Sequence, residues 1–272
     1  MDPPPWSRLL RPEPLPRTLA ITLPTGRAVV FGAPAPERDG AGEDLAAVIC
    51  VDDRRAVLAV ADGAGGLPNG AQAAELALLA VSEAVLAGEP EKPLSSTLVD
   101  AFDEANRAVR AMGVGAGTTL VAVIVDGVEV RPFHAGDSQA LVTGQRGKIR
   151  LETLSHSPTG YAVEAGLMDE QEALIHEERH LVSNLVGIDD MRIEIGPVVR
   201  IRPHDTLVLG SDGLFDNLAI GEISELVRRG PLDRAVEALA SAATRRMSDP
   251  AESRPHKPDD LTCLLYRPNR PR

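Results

Sequence analysis

The most constraining stretch of the chain is Ala56 to Ala61, an unbroken apolar run that stops on Asp62-Gly63-Ala64-Gly65-Gly66. A short apolar run bounded by turn residues reads as a buried strand. The glycines behind it let the backbone turn sharply and let a ligand approach the main chain. Asp62 therefore stands at the mouth of a strand beside exposed backbone groups, a position suited to a carboxylate that binds a metal. The remaining question is whether the chain supplies partners for it.

Around this strand the periodicities fall into groups. Residues 1–17 carry prolines at 3, 4, 5, 12, 14 and 16 and are expected to form a loose Pro-rich arm. Leu19 to Leu23 and Arg27 to Gly32 read as a hairpin turning at Pro24-Thr25-Gly26, and Leu45 to Val51 as a strand entered from Glu43-Asp44. Ala73, Leu76, Ala77, Ala80, Val81, Ala84 and Val85 give a helical stripe, ended by Gly88 and Pro90. A second helix is expected from Ser95 to about Met112. Strands follow at 118–125, 128–135, 139–142 and 148–154. Residues 156–187 are polar, carry two short helical patterns and read as a surface flap. Strands at 191–201 and 206–210, helices at 220–229 and 232–247 and a buried strand at 261–266 complete the pattern. Two helical layers about strand groups are the expected architecture.

Composition removes several function classes. With 28 basic and 40 acidic residues the net charge is −12, which argues against nucleic acid or an anionic membrane as the main partner. No stretch approaches the ~20 apolar residues of a membrane span. Met1 to Pro16 lacks the apolar core of a secretory signal. Cys50 and Cys263 lie in apolar runs without metal or redox spacing, so both are expected to be reduced core residues of a cytoplasmic protein.

Further acids recur at strand ends: Glu43-Asp44, Asp137 in Gly136-Asp137-Ser138, Asp212 in Ser211-Asp212-Gly213, and Asp259-Asp260. One aspartate at a strand end usually caps a turn; repetition at several apolar runs is harder to assign to capping. With no Cys or His cluster beside them, oxygen ligands favour Mg²⁺ or Mn²⁺ over zinc. Clustered carboxylates stay ionised only when cations neutralise them. Two divalent ions would balance about four, and a metal pair can hold a water for in-line attack on phosphorus.

The ordered set Gly42-Glu43-Asp44, Asp62-Gly63-Ala64-Gly65-Gly66, Gly117-Thr118-Thr119, Gly136-Asp137-Ser138, Ser211-Asp212-Gly213-Leu214-Phe215-Asp216 and Asp259-Asp260-Leu261-Thr262 resembles the metal-dependent serine/threonine protein phosphatases of type 2C, the PPM family. The segment from Glu164 to Gly187 is similar to the flap of the bacterial branch. The resemblance spans about residues 25–267, and a phosphatase domain over 18–268 is expected. It implies an α+β fold, a four-layer α/β/β/α sandwich of two antiparallel sheets flanked by helices.

It also implies two Mn²⁺ or Mg²⁺ ions and a third in some members, with water activated on the metals as nucleophile. By position, Asp62 would bridge two ions and the Gly63 carbonyl would bind the second. Asp212 and Asp259 would complete the first, Glu43 and Asp44 would hold the second, and Asp137 with Asp212 would match a third site. The substrates implied are phosphoserine and phosphothreonine proteins, with a serine/threonine kinase and its targets as partners of a monomeric signalling enzyme.

Some positions depart from the pattern. The phosphate-binding arginine is expected five residues before Asp44, where Asp39 stands, with Arg38 one residue further away. Ala64 replaces a histidine or methionine, and Asp260 and His180 replace asparagines. His134 reads as structural, His156-Ser157 as a packing or hydrogen-bonding pair, and His176 as an element that orders the flap. These departures leave a second reading, a weakly active or inactive phosphatase fold that regulates by binding proteins.

Overall fold

In the computed structural model, which describes residues 3–11, 13–36, 38–88, 91–249 and 255–269, the run around Asp62 is buried on both faces and its alternate residues enter different cores. Val57, Ala59 and Ala61 pack with Leu45, Ala47 and Ile49 against two helices. Ala56, Leu58 and Val60 pack with Ala46, Val48 and Cys50 against a second sheet. The two-residue period of a strand thus divides one hydrophobic segment between two layers of packing.

The strands are β1 (Trp6–Leu10), β2 (Arg17–Thr22), β3 (Gly26–Ala33), β4 (Asp44–Cys50), β5 (Arg55–Asp62), β6 (Leu120–Asp126), β7 (Glu129–Ala135), β8 (Gln139–Thr143), β9 (Ile149–Glu152), β10 (Glu194–Ile195), β11 (Val199–Arg200), β12 (Thr206–Gly210) and β13 (Leu261–Pro268). The first sheet runs β1-β4-β5-β6-β7-β10, with β11 also on β7; the second runs β2-β3-β13-β12-β8-β9. The pairings are antiparallel.

Helices α1 (Gly70–Leu86) and α2 (Leu94–Arg110) cover the first sheet. In α1, Ala73, Ala74 and Ala77 keep its buried side small, so α2 approaches closely through Leu98, Ala101 and Phe102. The outer face of the second sheet is covered by α6 (Ile220–Val227) and α7 (Leu232–Ser248). The flap contains α3 (Pro158–Glu164), α4 (Glu170–Ile175) and a 3-10 turn at Glu177–His180; α5 (Asp212–Phe215) is a single turn after β12. The four-layer α/β/β/α sandwich is the expected one.

Two expectations need correction. The Pro-rich arm is not loose at Trp6–Leu10: that segment is β1 and pairs along β4, from Trp6 opposite Cys50 to Leu10 opposite Ala46. Its prolines flank the strand and spare its interior, so the amides needed for the ladder are present. Residues 1, 2 and 12 of the arm lie outside the described residues, as do Pro90 and residues 250–254. The strand expected over 191–201 is two short ones, because Gly196-Pro197 interrupts it. The flap does present a largely exposed surface, yet Val186 at its end is fully buried and exchanges backbone hydrogen bonds with Thr118.

Candidate metal centre

Asp44 opens β4 and Asp62 closes β5, and the antiparallel register sets them directly opposite each other. Two threonines fix the end of β5. The Asp62 amide donates to Thr119 Oγ1 (3.0 Å) and Thr118 Oγ1 donates to the Asp62 carbonyl (2.8 Å). Gly63 then turns away, its amide donating to the Glu43 carbonyl (3.3 Å). A side chain at Gly63 would run into the Gly70 carbonyl at the first turn of α1, so only glycine lets β5, Glu43 and α1 meet here.

The second sheet contributes from facing strand ends. After β12, the Ser211 amide donates to the Thr262 carbonyl (3.1 Å). The buried Ser211 hydroxyl accepts from the Thr262 amide (3.1 Å) and donates to Asp44 Oδ2 (2.6 Å), joining the sheets through one oxygen. The turn α5 begins at Asp212. Asp137 lies on Gly136-Asp137-Ser138, where the chain leaves β7 for β8 and so changes sheet. Gly136 has φ +115, and a Cβ there would lie 2.6 Å from Thr119 Cβ. Ser138 Oγ closes the turn on Thr119 Oγ1 at 2.6 Å.

Arg38 reaches this end of the molecule despite its shifted place in the sequence. Its guanidinium lies 3.3 Å from Glu43 Oε2 and 3.1 Å from Asp260 Oδ2. Asp260 is buried and also accepts from the amides of Ala35 (2.7 Å) and Glu43 (2.6 Å). Asp260, where the resemblance would place an asparagine, thus braces the loop that carries Arg38 and Glu43.

The sequence reading passed over Lys257. Its ammonium contacts Asp212 Oδ2, lies 2.9 Å from Asp216 Oδ2 and 3.4 Å from Asp259 Oδ2. A cation two residues before Asp259 was the available signal. Asp216 was visible as the fourth residue after Asp212, the spacing that sets two side chains on one helical face.

The structure therefore brings Arg38, Glu43, Asp44, Asp62, Gly63, Asp137, Asp212 and Asp259 to one end of the sandwich. The charges interact strongly. Burial raises the Asp62 carboxyl well above the usual range, and Asp44, Asp212, Asp137 and Asp259 raise it further. Asp44 and Asp137 are raised in the same way, by burial and then by Asp260 and Asp212 respectively. Burial chiefly pushes Asp216 up to about 7 and Asp259 up to about 6. Asp44 Oδ1, Asp137 Oδ1 and Asp212 Oδ1 are buried without a hydrogen-bond partner. Buried carboxylate oxygens are normally satisfied. This all-oxygen donor set fits hard divalent cations such as Mg²⁺ or Mn²⁺.

The tightest trio of metal-type side chains among the described residues lies elsewhere: His134, His156 and Glu194, with ligand atoms within 4.8 Å. Its hydrogen bonds oppose a metal. His156 Nδ1 accepts from the Gly136 amide (3.1 Å) and from Asn184 (2.9 Å), so its proton is on Nε2, facing Glu194 at 3.1 Å. His134 Nε2 donates to the Leu154 carbonyl at 2.7 Å. One free imidazole lone pair, His134 Nδ1, remains. The two rings stack at 4.4 Å and tie β7 to the root of the flap, consistent with structural roles. His176 orders the flap, its Nδ1 accepting from the Glu178 amide at 3.1 Å.

Two antiparallel sheets between helical layers, with carboxylates gathered at one end, frame the site. Residues 36–250 match the family model described as Protein phosphatase 2C, and the chain belongs to that family. A curated relative, the serine/threonine phosphatase stp of Listeria innocua serovar 6a, is 30% identical over 196 residues, 68% of this chain and 77% of its own. The serine/threonine phosphatase PstP/Ppp of Mycobacterium tuberculosis superposes with TM-score 0.75 at 24% identity, over 90% of this chain and 99% of that one. A structure of the PstP catalytic domain in complex with 2 manganese ions gives TM-score 0.73 at 24% identity, over 90% and 99%.

Proposed function

We propose that this chain is a divalent-metal-dependent protein phosphatase that hydrolyses phosphoserine and phosphothreonine in proteins. The observation that carries the reading is the group of buried, unpartnered carboxylate oxygens on Asp44, Asp137 and Asp212, set beside Asp62 at one end of a protein phosphatase 2C sandwich. Asp62 would be shared between two Mn²⁺ or Mg²⁺ ions. Asp212 and Asp259 would complete one site; Asp44, Glu43 and the Gly63 carbonyl would complete the other. When bound, the ions lower the pKa of water and offset charge on the phosphoryl group.

The protein residues set up that chemistry. Thr118, Thr119 and Ser211 hold Asp62 and Asp44 in place, which limits the reorganisation needed on loading. Arg38 lies at the rim with its guanidinium shared between two acids. It would turn part of that fork towards a substrate phosphate, a bidentate match that Arg provides and Lys does not. Ala64 offers no proton, so the leaving serine or threonine oxygen would take one from solvent. The substrates would be targets of a serine/threonine kinase, met by a monomer in the cytoplasm. Among the described residues, no helix is long and apolar enough to cross a membrane.

Phosphopeptide hydrolysis should require added Mn²⁺, vanish with a chelator and return when the ion is restored. Metal-independent turnover of a phosphopeptide, or full activity in Asp62→Asn, would overturn the proposal.

A further inference from the structure

We propose that Lys257 is a built-in cation held among Asp212, Asp216 and Asp259, so that this chain binds one divalent ion fewer than its carboxylates could hold. The inference rests on the phosphatase reading above and deepens it, because it concerns how that site is loaded.

The placement of Lys257 is enforced by its surroundings. Its amide donates to Asn217 Oδ1 (3.0 Å) and its carbonyl accepts from Asn217 Nδ2 (2.9 Å). Asn217 is fully buried, and its Nδ2 also donates to the Gly213 carbonyl (3.0 Å). One side chain thus pins the Lys257 backbone to α5, the turn that carries Asp212 and Asp216. Pro258 restricts the preceding residue to extended conformations, which limits the other way Lys257 could move. A side chain at Gly213 would strike the Asp260 carbonyl, so the 257–260 segment lies directly on α5.

The ammonium then meets Asp212 and Asp216 first and Asp259 last. Asp137 lies in the field of Asp212, Asp216 and Lys257, and its Oδ1 is buried and unpartnered. An ammonium donates hydrogen bonds and cannot share the Asp212 Oδ2 lone pair it engages with a divalent ion. Two cations at one carboxylate also repel each other in a poorly solvated site. A tethered charge differs from an exchanged ion in one respect: its occupancy does not depend on the metal concentration. Among the described residues Lys257 makes no ion pair with Glu43, Asp44 or Asp62, and these acids are left for exchangeable ions.

The test is a count of bound Mn²⁺ by isothermal titration calorimetry, with native mass spectrometry as a second readout, on the full chain without substrate. Lys257→Met and Lys257→Gln should bind one more Mn²⁺ than the parent, or bind the ion at Asp212 at least about tenfold more tightly. Lys257→Arg, which keeps the charge, should retain the parental count. Removing the ammonium leaves carboxylates unpaired, so the neutral variants are refolded with Mn²⁺, and their melting temperature should rise more with Mn²⁺ than the parent's. Equal counts, affinities and melting shifts in parent and neutral variants would overturn the proposal while leaving the phosphatase reading intact. An extra ion in Lys257→Arg would overturn it as well. Absence of Mn²⁺ binding in all four proteins would instead overturn the phosphatase reading.

Discussion

Two buried polar regions lie a short way apart in this fold and behave in opposite ways. At His134 and His156 every ring nitrogen except His134 Nδ1 has a partner, and the proton positions follow from backbone groups. At the carboxylate centre the acids face each other, several oxygens have no partner, and burial raises Asp44, Asp62 and Asp137 well above the usual range. Both regions hold residue types that bind metals. The histidine pair is closed by its own hydrogen bonds, whereas the centre leaves oxygens of Asp44, Asp137 and Asp212 without a partner. Hydrogen-bond satisfaction, more than proximity, therefore separates a candidate metal site from a structural polar cluster.

The largest effect should come from setting substitutions in the two regions against each other. Asp62→Asn or Asp212→Asn should lower Mn²⁺-dependent kcat/KM by about 10³-fold, since metal stabilisation of the transition state is worth several kcal/mol. His156→Gln should leave that rate within about tenfold while lowering thermal stability. Steady-state kinetics and melting curves on all three variants would break the comparison if His156→Gln lost activity as completely as Asp62→Asn.

The next effect is acid sensitivity. Burial first, and His156 next, lower His134 to about 4 from its usual 6.5. A depressed histidine pKa contributes stability above the unfolded value, and that stability is lost as pH falls from about 6.5 towards 4. The loss should amount to about 3 kcal/mol in denaturant titrations of the metal-free protein. His134→Phe should flatten this acid limb.

Gly136→Ala tests the link between sheets. The residue would have to adopt φ +115 and crowd Thr119, at a cost of about 2 kcal/mol in thermal unfolding. Asp137 is next in the chain, so Mn²⁺ affinity should weaken too. Ser211→Ala should have the smallest effect, about 1 kcal/mol in chemical denaturation, by removing the hydroxyl between Asp44 and Thr262. An unchanged Mn²⁺ affinity in that variant would show that Ser211 braces the fold without tuning the centre.

Much of this arrangement was legible in the sequence because it depends on short-range rules. The run Ala56–Ala61, the helical stripes and the meander spacings fixed most elements, and the acids announced themselves at strand ends. Trp6–Leu10 was hidden because its prolines dominate the local signal, while its pairing with β4 is decided about forty residues away in the chain. The strand 191–201 was read as one piece because its apolar content outweighed Gly196-Pro197.

The sequence alone determined which residue types the centre has: clustered carboxylates, no histidine at position 64, and an arginine displaced to position 38. Only the tertiary structure decided how these groups share charge. It committed Asp260 to Arg38 and two backbone amides, and it carried Lys257 onto Asp212, Asp216 and Asp259. The physical reason is that residue type and spacing are local properties of the chain. The electrostatic state of a carboxylate depends instead on burial and on charges brought close by folding from distant segments.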